Sequence, residues 1–375
     1  MLGMNSGNRQ FGSMAFLWPA IAAETASELA SAVAREFVSL AVGHDTQTKG
    51  PEPRWTTRNQ VALELTAVRL RDFSTSSDGL ATLVCAPFAL HGATLVDFAA
   101  DHSLVCALQR AGMSRVFVTD WHSATPQMRF WSIDDYLAAL NVLVDELGGA
   151  VDLIGLCQGG WMALVYAARF PAKVRKLVLA GAPIDIAAGK SKLSDLADNT
   201  PMSVFNELVE LGNGRVLGHR VLPLWAPETP GREEIHHLLE TTEAVGSAPF
   251  HRLESRFRDW HAWTVDLPGV YYLQVVGQLF KENRLAAGHF VALGRRIDLS
   301  KLHCPMFLLA AQDDDIVAPE QIFATEHLVD YAHCTIRRAI APCRHLGLFM
   351  GRKVLSGVWP DIARWLLQGA RATLQ

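Results

Sequence analysis

Residues 151–160 read Val151-Asp152-Leu153-Ile154-Gly155-Leu156-Cys157-Gln158-Gly159-Gly160. A short apolar run ends in Gly-x-Cys-x-Gly, and a helical pattern follows from Gln158 to Phe170. A strand that turns sharply into a helix lifts the residue at the bend into the open, and its neighbours two positions away must be small to avoid collision. Serine commonly stands at such a bend; here it is Cys157. A helix N-terminus behind the sulfur favours a thiolate and, later, an oxyanion. The backbone N–H of Gln158 lies where it would donate to that oxyanion. A structural cysteine in a glycine-rich turn is the plainer reading, and the flanking strand and helix weigh against it.

Outward from this turn the chain alternates short apolar runs with helical patterns. Strands are expected over 61–72, 81–86, 115–121, 151–155 and 176–182, and helices over 97–111, 132–147 and 158–170. Ser132 reads as the N-cap of the second helix, with Asp134 and Asp135 in its first turn. The rhythm returns late, with strands over 306–311 and 335–340 and helices over 320–331 and 358–368. Such β-α-β alternation builds a mostly parallel sheet covered by helices on both faces. The stretch 186–300 breaks the rhythm, is richer in Trp, His and charge, and reads as an inserted helical lid. Its aromatic residues Trp225, Phe250, Trp260, Trp263, Tyr271 and Tyr272 suggest an apolar acyl channel, although such residues are more often ordinary core. The expected organisation is a helical segment and linker over 1–60, a core over 61–185 and 301–375, and a lid over 186–300.

Strand, turn and helix around Cys157 point to the α/β-hydrolase fold, in which the acid and then the base follow the nucleophile along the chain. After the strand 306–311 come Asp313, Asp314 and Asp315, then Ile316-Val317-Ala318-Pro319. Three adjacent aspartates leave the register open. Asp314 fits best, because similar hydrolases place the acid three residues before the Val of such a segment. His345, on the loop after the last strand, is the candidate general base. A second oxyanion donor is expected from the loop after the strand 81–86, from the N–H of Phe88 or Ala89. His91 either lines the pocket or serves the structure. A thiolate exchanges readily with thioesters, so the cysteine suits an enzyme that holds acyl groups covalently.

The chain has 375 residues, half of them hydrophobic, and a formal net charge of -4. That is globular composition with no basic footprint for nucleic acid. The six cysteines show no CxxC pair, which suits free thiols in a reducing, cytoplasmic setting. No cluster has metal-ligand spacing, and no GxGxxG or P-loop calls for a nucleotide cofactor. Residues 14–43 are apolar-rich, but Glu24, Glu28, Arg35 and Glu36 interrupt them. They read as an amphipathic helix over about 21–42, not as a signal or membrane-spanning segment. That helix packs on the body of the enzyme or meets a hydrophobic polymer surface.

Several segments resemble polyhydroxyalkanoate synthases, especially the short kind that works with a second subunit. The main one is GLCQGGWMALVYAARFPAKVRKLVLAGAPIDI (155–186). Others are DFAADHSLVCALQRAG (97–112), VFVTDW (116–121), SIDDYL (132–137) and NRLAAGHFVALGRRIDLSKLHCPMFLLAAQDDDIVAP (283–319). The stretches around Arg344-His345-Leu346-Gly347-Leu348 and Trp359-Pro360-Asp361-Ile362-Ala363-Arg364-Trp365 are similar too. The resemblance runs from about 80 to 368. It implies a Cys/His/Asp site that polymerises (R)-3-hydroxyacyl-CoA and releases coenzyme A, with no cofactor beyond the thioester substrate. Cys157 would carry the growing chain, and His345 would take the thiol proton. Asp314 would assist His345 or help activate the 3-hydroxyl. The implied partners are the acyl-CoA or the polymer, a granule surface, and a helper subunit or second copy.

Two departures point elsewhere. Synthases usually show Gly-Gly-His where this chain has Cys343-Arg344-His345. The segments APFALHGATL (86–95) and GRKVLSGVWP (351–360) look more like intracellular polyhydroxybutyrate depolymerases, which carry Cys-Gln-Pro where this chain has Cys157-Gln158-Gly159. The first reading is therefore an acyltransferase and the second a depolymerase or other (thio)esterase. A non-catalytic granule-associated protein is third.

Overall fold

The computed structural model describes residues 51–225, 230–330 and 334–368, with the side chains of 223–225 left aside. The helix expected over 21–42 lies outside these residues, as do the side chain of Trp225 and residues 369–375.

The main sheet has eight strands. They are β1 (Gln60–Glu64), β2 (Val68–Asp72), β3 (Thr82–Cys85), β4 (Val116–Trp121), β5 (Val151–Leu156), β6 (Val174–Ala180), β7 (Met306–Ala311) and β8 (Ile336–Ala341). Their spatial order is β1-β2-β4-β3-β5-β6-β7-β8. β1 and β2 pair antiparallel, as do β2 and β4, and every pair from β4 onward is parallel. This is the α/β-hydrolase architecture expected from the strand–turn–helix pattern. The central strands are buried along their whole length. Leu153 packs into the core on one face of the sheet, and Ile154 and Leu156 into the core on the other. A strand covered on both faces reads as a continuous apolar run, which is why the strand expected over 151–155 was legible; it runs one residue further, to Leu156.

The path of the chain fixes where a site can form. After β3 the chain steps outward to β4, then returns to the other side of β3 as β5. The crevice beyond the carboxyl ends of β3 and β5 is the topological switch point, where open α/β sheets bind ligands. Cys85 lies beside Gly155, Leu156 beside Ala180, and Ala311 beside Ala341. The loops after these strands therefore open on one edge of the sheet.

Three expected elements differ. The stretch 61–72 is two strands, because Leu65 and Val68 exchange backbone hydrogen bonds (2.9 and 3.3 Å) and close a turn. The helix expected over 97–111 begins only at Leu104. The buried Asp97 carboxylate accepts from the backbone N–H groups of Thr56 and Thr57 and from Ser103 Oγ, which holds 97–103 as a tight antiparallel hairpin. Ser103 then caps the helix by accepting from Cys106 N. The helix expected over 320–331 is two short pieces, Pro319–Phe323 and Thr325–Leu328. Thr325 Oγ1 takes the Ile322 carbonyl at 2.6 Å, which competes with helix continuation.

Among the described residues between β6 and β7, no strand joins the main sheet. This stretch is mostly helical, with two small antiparallel ladders, Arg215–Val216 with Leu267–Pro268 and Val291–Ala292 with Arg295–Arg296. A π-helical turn spans Val275–Lys281.

Candidate active site

Cys157 sits between β5 and the helix Gln158–Arg169 with φ 48° and ψ -117°. A non-glycine residue at positive φ is strained, and such strain persists only where the surroundings hold it. Here the Cys157 N–H donates to Ala180 O (2.9 Å), and its carbonyl accepts from Gly160 N (2.8 Å). The flanking glycines let the elements close up. A Cβ on Gly155 would lie 2.7 Å from Ala163 Cβ, and one on Gly159 would lie 2.2 Å from the Cys85 carbonyl oxygen. The helix can thus start against the end of β3, with the sulfur half-buried above it.

His345 and Asp314 come from the loops after β8 and β7. His345 Nδ1 is 2.7 Å from Asp314 Oδ2. The other carboxylate oxygen, Oδ1, accepts from Ile316 N (3.0 Å) and Val317 N (2.9 Å). That double cap explains why an aspartate stands here and fixes its direction. His345 and Cys157 border the same cavity, close enough for the sulfur to act on the ring. With Nδ1 turned to the carboxylate, Nε2 is left for the thiol. Burial by itself lowers the His345 pKa. The charge and hydrogen bond of Asp314, with the charge of Cys157, outweigh it and hold the ring well above its ordinary 6.5. Gly181, at φ +55°, floors the ring: a Cβ there would lie 3.1 Å from His345 Cε1.

The neighbouring aspartates do other work. Asp313 is exposed, and its N–H donates to Cys343 O. Asp315 pairs with Lys192 (2.6 Å) and Arg344 (3.1 Å). Burial would raise its pKa, and those two cations overcome this and lower it. Arg344 also reaches Glu234 at 3.0 Å. Of the three aspartates it is Asp314 that meets His345.

The oxyanion candidates lie across the switch point. Gln158 is the first residue of its helix, where a backbone N–H has no partner within the helix. Its side-chain oxygen accepts from Trp161 Nε1 (2.8 Å), which ties the amide back along the helix. Among the described residues the N–H groups of Phe88 and Ala89 donate no backbone hydrogen bond. Phe88, Ala89, His91, Gln158, Cys157 and His345 all border one cavity of about 530 Å³.

Most of that cavity is apolar, and much of its wall comes from the stretch between β6 and β7. Trp260, Tyr271 and Tyr272 line it; Phe250 and Trp263 do not. Phe250 packs against His236, and Trp263 covers Gly92, so these two are ordinary packing residues. Sequence reasoning missed Leu193, Leu196 and Ala197, although their i, i+3, i+4 spacing marks one helix face. It also missed Val276 and Phe280 on the π-helical turn, and His261. Lys192, Glu234, Asp315 and Arg344 border the same cavity, and nothing in their local sequence signals it.

Cys304, Cys334 and Cys343 are buried, and burial pushes their thiols up to about 12, about 11 and about 12. Cys334 Sγ donates to Cys304 O (3.1 Å). Among the described residues, no group of three or more His, Cys, Asp or Glu side chains is arranged to hold a metal ion. No helix there is long and apolar enough to cross a membrane.

A family model described as "Protein of unknown function (DUF3141)" matches residues 71–341. The chain belongs to that family. It is similar to two proteins named poly(3-hydroxyalkanoate) polymerase subunit PhaC. The one from Synechocystis sp. is 28% identical over 282 residues, 72% of this chain and 74% of that protein. The one from Allochromatium vinosum is 27% identical over 283 residues, 72% of this chain and 76% of that protein. Among solved structures, a monoacylglycerol lipase from Paleococcus ferrophilus superposes with TM-score 0.51 at 17% identity, over 80% of this chain and 98% of that one. That likeness shows the α/β-hydrolase fold. With these relatives, this DUF3141 member is an enzyme, either a synthase-like acyltransferase or an ester hydrolase.

Proposed function

We propose that this chain is an acyltransferase of polyhydroxyalkanoate metabolism that loads (R)-3-hydroxyacyl groups from coenzyme A onto Cys157. One observation carries the reading: a half-buried cysteine at a strained bend shares the edge of an apolar cavity with a carboxylate-held imidazole. The PhaC-named relatives support the choice of acyl donor.

On this reading His345 takes the Cys157 thiol proton at Nε2, and Asp314 holds the resulting imidazolium. The thiolate attacks the thioester carbonyl carbon. The N–H of Gln158, with that of Phe88 or Ala89, receives the oxyanion. The carbon–sulfur bond to coenzyme A then breaks, and the departing thiolate takes the proton from His345. In the second half, a hydroxyl attacks the acyl-cysteine, passes its proton through His345, and the Cys157 thiol is regenerated. We further propose that the stretch 186–300 acts as a lid that keeps water from the acyl-cysteine. On this reading the partners are a cytoplasmic polymer granule and a helper subunit or second copy.

A second reading, hydrolysis, is favoured by the half-exposed charged residues bordering the cavity, Lys192, Glu234, Asp315 and Arg344. They would admit water as acyl acceptor. The deciding experiment follows free coenzyme A and insoluble product from 3-hydroxybutyryl-CoA. Polymer supports transfer. Soluble 3-hydroxybutyrate, or action only on preformed polymer, supports hydrolysis.

A further inference from the structure

Two histidines border the apolar cavity and have no role in the steps above. His91 lies on the loop after β3 and His261 on the helix Ala248–Ala262. Their ring centroids are 5.4 Å apart, and His91 packs on Trp260 at 4.4 Å. His91 Nδ1 is 3.3 Å from the Trp263 carbonyl oxygen. A carbonyl only accepts, so Nδ1 carries the hydrogen and Nε2 presents a lone pair. His261 stacks on Phe257, with the ring centroids 6.1 Å apart. Both rings are held neutral: burial, with His261 nearby, takes His91 down to about 3, and burial, then Arg258, lowers His261.

A neutral imidazole in an apolar wall costs free energy unless something bonds to it. A saturated acyl chain offers nothing. A hydroxyl on the chain offers an O–H to a ring nitrogen and an oxygen to a ring N–H.

We propose that His91 and His261 form a polar subsite in the cavity that selects acyl groups carrying a hydroxyl over their unsubstituted counterparts. The inference rests on the acyl-cysteine reading above and deepens it by naming what recognises the substrate. A site built to bond a hydroxyl rejects the analogue without it, because the site's own polar groups are then left unpaired.

The test compares kcat/KM for 3-hydroxybutyryl-CoA and butyryl-CoA, read as release of free coenzyme A, in the full chain. The same ratio is measured on the nitrophenyl esters of 3-hydroxybutyrate and butyrate. The wild-type chain prefers the hydroxyacyl donor by about tenfold or more, the size of one good hydrogen bond. His261→Phe and His91→Phe each collapse that ratio towards one, and His261→Gln, which keeps a hydrogen-bonding group, recovers part of it. A ratio is internal to each preparation, so partial misfolding does not move it. A wild-type ratio near one, or a ratio unchanged in both Phe variants, overturns the subsite. Failure to release coenzyme A overturns the acyltransferase reading alone, since the ester ratio still decides the subsite. No turnover of either donor overturns both.

Discussion

Asp314 and His345 stand 31 positions apart in the chain, yet the carboxylate meets the ring at 2.7 Å. The reason is the sheet. β7 and β8 run parallel in register to Ala311 and Ala341, and each residue lies just past the end of its strand. The contact is thus a property of strand pairing, and its chemistry can be tested one group at a time.

Asp314→Asn should slow acyl-enzyme formation by about 10²- to 10⁴-fold, the range expected when a carboxylate no longer fixes the tautomer of its histidine. Asp315→Asn, which removes partners of Lys192 and Arg344, should leave the rate within a few-fold. Stopped-flow release of coenzyme A measures both. Equal losses in the two variants would refute the assignment of the acid to Asp314.

The same pair sets a pH dependence. The His345 pKa is raised in the folded chain. Its imidazolium therefore adds stability that is fully present below the ordinary 6.5 and is lost as pH rises through the higher folded value. The stability advantage of the wild type over His345→Gln should accordingly shrink as pH climbs above neutral, as read by urea unfolding. In Asp314→Asn the strongest raising influence is gone. The alkaline limb of the acylation profile should then move to lower pH. An alkaline limb that stays in place would show that Asp314 does not hold the proton on His345.

Cys157→Ala should abolish covalent loading and cut coenzyme A release by more than about 10³-fold. The alanine occupies the same strained turn, so the fold should survive. Intact mass after brief exposure to 3-hydroxybutyryl-CoA should show one acyl adduct on the wild type and none on the variant. An adduct that persists in Cys157→Ala would place the nucleophile elsewhere.

How far the sequence carried the reading depends on the kind of contact. The bend at Cys157 was legible because strand, bend and helix are consecutive and each leaves a local signature. The order of Asp314 and His345 was legible because they follow strands. The choice among three aspartates rested on likeness to other hydrolases; the structure distinguishes them by the backbone N–H groups of Ile316 and Val317, which cap only one carboxylate. The cavity wall was poorly legible. His261 and Phe280 meet Cys157 across one space through packing of distant segments, and no local pattern records that. Asp97 misled the helix reading for a related reason: its partners Thr56 and Thr57 lie some forty residues away.

Gly159→Ala tests the packing behind the bend. Its Cβ would lie 2.2 Å from the Cys85 carbonyl and 2.8 Å from that of Ala86, both backbone atoms at the end of a buried strand. Neither can swing aside, so the helix must shift. The expected loss is about 1–3 kcal/mol or more, as for overpacked cores, with a Tm lower by several degrees. Because the shift moves Gln158 N–H and the sulfur together, acylation should fall more steeply than stability. Calorimetry and single-turnover rates on one preparation separate the two. An unchanged Tm would mean that the close approach of helix and strand does not exist in solution.

Val276→Trp tests whether the apolar chamber holds the acyl group. Val276 is buried on the π-helical turn and faces the cavity along with Phe280 and Tyr272. π-Helical turns often mark functional sites, since the extra residue turns side chains out of helical register. An indole there takes up a sizeable part of a space of about 530 Å³. Short acyl groups should still fit, while longer ones should lose about 1–3 kcal/mol of binding, roughly 5- to 150-fold in kcat/KM. The measurement is the ratio of rates on 3-hydroxyoctanoyl-CoA and 3-hydroxybutyryl-CoA. If the indole slows both donors equally, the acyl chain does not run past Val276, and the chamber has another occupant.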